Sequence, residues 1–167
     1  YLTGLFGHMA HHQTQGTFTA FELVYVNGTT WRRIYDDYCV PSQMTVPLML
    51  RWMLAFEDRD ADTLWLCRAA PRSWWQSRLE FRGARTRWGT VSLQLEPSDD
   101  QRVIAGRIKF SDKIPSTLAL RVRHPRRLHI DQCEVRGATC EKIDAARELV
   151  FLRPAARSID VRLTFRP

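Results

Sequence analysis

The densest run of reactive side chains is HMAHHQTQGTFTAFE, residues 8–22, which gathers His8, His11, His12, Gln13, Gln15, Thr17, Thr19 and Glu22. Tyr35, Asp36, Asp37 and Tyr38 follow closely. A sugar-handling site needs this kit. A carboxyl pair drawn from Glu22, Asp36 and Asp37 would do acid and base work, while Gln13, Thr17 and Thr19 would meet sugar hydroxyls. His11 and His12 would bind beside them, and the Tyr35 ring would stack on a pyranose face. The plainer alternative, histidines satisfying buried backbone and Glu22 on a wet surface, stays open. The spacing of His8, His11 and His12 would also put three imidazoles on one face of a helix, as a metal site requires. No acidic HExxH-type partner stands in register, so no metal and no other cofactor is expected.

Trp74-Trp75 and Trp88 are a second candidate surface, a stacking platform for sugar rings. Against it stands the usual fate of Trp in a β domain, which is the core. No GxSxG elbow, Gly-rich phosphate loop or GxGxxG occurs, which argues against serine-nucleophile and nucleotide-dependent enzymes.

The elements that would position these residues change character near residue 62. From Thr63 onward, period-two alternation recurs between Gly, Pro, Ser and Asp. Val91, Leu93 and Leu95 share one parity, as do Ile104, Gly106, Ile108 and Phe110; Leu118, Leu120 and Val122; and Ile159, Val161, Leu163 and Phe165. In RLHIDQCEVRG the apolar parity switches between Ile130 and Cys133, which predicts a β-bulge at Asp131-Gln132. With Leu64–Leu66, Leu79–Phe81 and Leu149–Leu152 this makes about eight strands with no helix-length gaps, an antiparallel β-sandwich over 63–167.

Residues 1–62 read as a helical and loop segment. Thr45 predicts the cap of a helix over Val46–Phe56, with Pro47 in its first turn and apolar residues almost all the way round. A helix of that kind is expected to be buried, against partners that this chain does not supply. Asn27-Gly28 predicts a tight turn between Phe21–Val26 and Thr30–Tyr35.

Charge divides at the same place. Of the 25 basic and 18 acidic residues, only 4 basic but 7 acidic fall before residue 63, so the net +7 comes entirely from the second part. The excess is arginine, 22 against 3 lysines, and it alternates with apolar residues in Arg121-Val122-Arg123 and Val161–Arg166. That is how a strand covers its wet face, so no nucleic-acid partner is expected. The most apolar run, Val46–Phe56, is broken by Arg51 and falls short of the roughly 20 residues a bilayer requires, so no membrane partner is expected. Cys39, Cys67, Cys133 and Cys140 lack CxxC spacing and read as buried or free thiols, although Cys133 and Cys140 would bridge a hairpin in an exported protein. Tyr1 is not an initiator Met and no signal peptide follows, so the chain is expected to be a piece of a longer polypeptide.

Two stretches carry a resemblance: HHQTQGTFTAFE with DDYCVPSQMTVPLMLRWMLAFED, then DTLWLCRAAPRSWW with RTRWGTVSLQLE and TLALRVRHP. Together, over nearly the whole chain, they resemble the C-terminal end of large bacterial proteins of the six-hairpin (α/α)6 glycosidase-like type, where the last toroid helices run into a β-sandwich. The resemblance implies that GTFTAFE lies at the toroid rim, where such proteins bind glycans, with Glu22 as the carboxylate. It implies a carbohydrate ligand, contact with an N-terminal toroid domain, and an accessory role for the sandwich. This chain alone would be inactive, because it offers far fewer helices than a toroid needs. An exposed helical segment would also favour self-association. The competing reading is a non-catalytic sandwich module that holds an anionic glycan or a protein partner.

Overall fold

A computed structural model describes residues 3–4, 24–27, 30–33, 40–58 and 60–167, and only the backbone of 24–27, 30–33 and 40–42. The chain divides into two compact units, Tyr1–Trp52 and Met53–Pro167. The division falls earlier than residue 62 because a short strand that the sequence assigns to the helix belongs to the sheets.

In the first unit β1 (Val24–Asn27) and β2 (Thr30–Arg33) pair antiparallel, with Asn27 opposite Thr30. This is the hairpin that Asn27-Gly28 predicts. Helix α1 spans Val40–Leu54. Thr45 is therefore interior rather than a cap, and Pro41 takes the first-turn place expected for Pro47. Pro47 lies inside the helix, where it has no N–H to donate to the carbonyl four residues earlier. The expectation of all-round burial is also corrected. Val46 is buried, but Met44, Leu48 and Trp52, spaced four apart along one stripe, are 55%, 39% and 37% exposed.

The second unit is a sandwich. One five-stranded sheet has the order β10 (Ala138–Asp144), β11 (Leu149–Pro154), β8 (Thr117–Arg121), β4 (Thr63–Leu66), β3 (Ala55–Glu57). The other runs β5 (Leu79–Thr86), β6 (Gly89–Pro97), β7 (Val103–Phe110), β12 (Ser158–Arg166), β9 (His129–Arg136). Alternation explains the core: Leu64, Leu66, Leu118, Leu120, Val150 and Leu152 of the first sheet join Val91, Leu93, Ile104, Ile108, Ile159, Val161 and Leu163 of the second in one buried cluster. The pairing is antiparallel throughout except for β4 against β8, which run parallel. Between those two the chain lays down β5, β6 and β7 in the opposite sheet.

Ten strands replace the expected eight. β3 reads from sequence as the end of the helix, whereas Phe56 pairs with Trp65 of β4. β10 is obscured because its core-facing positions hold Ala138 and Cys140, and a register shift between Cys140 and Lys142 then moves the apolar parity to Ile143. The bulge predicted at Asp131-Gln132 is present: Gln132 pairs with Thr164 and Ile130 with Phe165, which leaves Asp131 without a partner across the ladder. A third register shift sets Arg82 and Gly83 of β5 against Ser92 alone, with Gly83 at φ +65.

Polar anchors tie the loops. Asp62 accepts from Trp88 Nε1 at 3.2 Å and from the Ser116 backbone N–H at 2.7 Å, joining the β3–β4 connection to the β6 and β8 entries. His124 is fully buried, its Nδ1 accepts from Arg126 N–H at 3.1 Å, and its Nε2 lies 2.6 Å from the Gln101 carbonyl. Those partners select a neutral ring that donates from Nε2, since a second N–H at Nδ1 would face the Arg126 donor. Burial, with Arg126 and Arg72 adding to it, holds the His124 pKa below its ordinary value. The unfolded chain therefore takes up a proton first as pH falls. The stabilisation is full above the unfolded value of about 6.5 and is lost on acidification toward the lowered native value. Urea midpoints should drop for the wild type between pH 7.5 and pH 5.5, and the drop should be smaller in His124→Gln; equal drops would dismiss His124 as the cause.

Candidate functional site

The outer face of the second sheet is polar because each strand's inward parity is taken by the core. Register then aligns what the chain scatters. Glu80 lies opposite Gln94, Gln94 opposite Arg107, Arg107 opposite Asp160, and Asp160 opposite Arg136, one row across all five strands. A second row places Ser92 opposite Lys109 and Lys109 opposite Ser158. Glu80, Arg82, Ser92, Gln94, Arg107, Lys109 and Asp160 line a groove of about 540 Å³, with Phe81 and Leu93 among its apolar walls. A second hollow of about 440 Å³ shares Gly106 and Asp160 with it and adds Glu134, Arg136 and Arg162.

The charges are held in place. Arg107 Nε donates to Asp160 Oδ1 at 2.6 Å, and Glu80 takes both Arg78 and Arg82. The hydrogen bond from Arg107, with the fields of Arg107, Arg136 and Lys109, holds the Asp160 carboxyl below the usual range. Arg82, followed by Arg78, does the same for Glu80. Asp160 in turn raises the Arg107 pKa. Both carboxylates are thus fixed acceptors at neutral pH, and neither is poised as a general acid. Among the described residues Lys109 and Arg136 have no carboxylate at ion-pair distance. The groove therefore keeps Lys109, and the adjoining hollow Arg136, as cations that their own acids do not occupy.

Glu80 and Asp160 sit three strand steps apart. At about 4.8 Å per step their backbones are roughly 14 Å apart, whereas the carboxyl groups of a glycosidase pair stand roughly 5–9.5 Å apart. Each acid is held by arginine, Glu80 by Arg78 and Arg82 and Asp160 by Arg107. Among the described residues no group of three or more His, Cys, Asp or Glu is placed to hold a metal ion.

The sequence-derived candidates His11, His12, Gln13, Thr17, Thr19, Glu22, Tyr35, Asp36 and Asp37 lie outside the described residues. Trp75 and Trp88 are buried in the core cluster, and Trp74 packs against it. The core alternative holds for Trp75 and Trp88, neither of which offers an open ring face to a sugar, whereas Trp74 is only half-buried. The groove residues went unremarked in the sequence because each is an ordinary outward-facing polar residue; the available signal was their common parity on four strands.

No family model matches the chain, and no curated protein and no solved structure matches it significantly.

Proposed function

We propose that the sandwich is the non-catalytic, glycan-holding part of a carbohydrate-active protein, and that the outer groove of its second sheet takes an acidic oligosaccharide. The observation that carries this reading is the row Glu80, Gln94, Arg107, Asp160 and Arg136 across five strands. Fixed carboxylates and an amide suit sugar hydroxyls, and planar guanidinium groups suit a uronate carboxylate. The excess of Arg82, Arg107 and Lys109 over Glu80 and Asp160 favours an anionic ligand over a neutral one. The separation of the two acids supports holding rather than cleavage.

Calorimetric titration of the full chain with uronate-containing and neutral oligosaccharides checks it. Acidic oligosaccharides should bind better, and Arg107→Ala should weaken binding about tenfold or more, since a charge-assisted hydrogen bond contributes roughly 1.5–3 kcal/mol. Absence of binding, or affinity that Arg107→Ala and Lys109→Ala leave unchanged, would reject the groove as the site.

A further inference from the structure

The two sheets meet at an open margin where β9 is the edge of one and β10 the edge of the other. Only Gly137 separates the strands, so the chain passes from sheet to sheet in a single residue. Gly137 adopts φ +81, and a Cβ there would overlap the Ser158 carbonyl. This sharp passage brings β9 and β10 to the same margin of the sandwich. Cys133 on β9 lies opposite Leu163, and Cys140 on β10 lies opposite Leu152, both within the core-facing rows. Both thiols pack against the core while remaining partly accessible, and Cys140 is near enough to Cys133 to add to the effect of burial in raising the Cys133 pKa. Cys67, by contrast, is wholly buried.

We propose that Cys133 and Cys140 are a site of oxidative modification, closing to a disulfide that joins the margins of the two sheets when the chain meets a small-molecule disulfide such as oxidised glutathione. The exchange balances in two steps. One cysteine, as thiolate, attacks a sulfur of the glutathione disulfide and expels one glutathione thiolate, leaving a mixed disulfide on the protein. The second cysteine, as thiolate, attacks the protein sulfur of that mixed disulfide and expels the second glutathione. The protein dithiol loses two electrons and two protons, and one glutathione disulfide becomes two glutathione thiols. Burial, then the neighbouring Cys140 thiol, holds the Cys133 pKa well above the ordinary thiol range, so closure is slow at neutral pH and faster in alkali.

Tryptic cleavage separates the two cysteines, because Arg136 precedes Gly137 and Lys142 precedes Ile143. The full chain, incubated natively with oxidised glutathione at mildly alkaline pH and digested without reductant, should yield LHIDQCEVR joined to GATCEK, lighter by two hydrogens than the two peptides together. Its Tm should rise by about 5 °C or more over the reduced chain, as expected for closing even a short loop. Cys133→Ser and Cys140→Ser should each keep a stable glutathione adduct and show no such rise. Persistent adducts on the wild-type peptides, linkage to Cys39 or Cys67 instead, or a joined pair with unchanged Tm would overturn the proposal.

Discussion

Gly106→Ala should lower the stability of the sandwich by about 3–5 kcal/mol, and Gly106→Val should prevent accumulation of folded protein. Gly106 is in the middle strand of the second sheet, paired to Leu95 on one side and Val161 on the other. A Cβ built on it would overlap the Gln94 carbonyl oxygen and come within 2.9 Å of Leu95 Cα. Both are backbone atoms of a paired strand and cannot rotate away. Gly83→Ala is the internal control. It places a methyl group in open space, although at φ +65, and should cost only about 1–2 kcal/mol of conformational strain. Urea unfolding followed by tryptophan fluorescence compares them; similar midpoints for Gly106→Ala and the wild type would refute the close-approach argument.

Glu148→Gln should cost about 2 kcal/mol, a large loss for a substitution that preserves shape. Glu148 is 9% exposed and sits in the left-handed region at φ +59 as the chain enters β11. Its carboxylate takes Arg72 and lies 3.5 Å from Arg123, while its carbonyl accepts from Val122 N–H at 3.0 Å. Arg121 is also close, and burial with the charge of Arg123 lowers its pKa. Removing the single negative charge leaves these arginines facing one another in a partly desolvated spot. Because Arg72 and Arg123 retain about a third of their exposure, the loss should stay below that of a fully buried pair. Added salt should recover part of it by screening the arginines. A midpoint indifferent to both the substitution and salt would show that the cluster is not coupled.

Most of the sandwich was legible because alternation reports burial directly. Val91, Leu93 and Leu95 needed only a parity count, and the parity switch after Ile130 located a bulge before any ladder was known. β3 was hidden because Ala55 and Phe56 extend an apolar run, and short apolar runs do not separate helix from strand. β10 was hidden because Ala138 and Cys140 carry little apolar signal. The groove was less accessible still. Glu80 and Arg136 lie far apart in sequence, and they share a row only through the order β5, β6, β7, β12, β9. That order depends on which strand inserts beside β7, and no local pattern records it. The histidine-rich run invites attention by composition, whereas Arg107 and Asp160 become a candidate pair only through cross-strand register.

The three register shifts share a location with a consequence for solubility. Each involves a marginal strand, β5, β9 or β10, and the fourth margin, β3, has only three residues. An open margin offers free amides and carbonyls to any neighbouring molecule, and kinks, charges or brevity spoil that template. Here the surplus residues are Asp131, Glu141 and the Arg82-Gly83 pair, so three margins are bent and also carry charge. Two copies of this sandwich meeting side by side would find no straight ladder to extend, and the fold can keep a core of β-branched and leucine residues without recruiting its neighbours into fibrils.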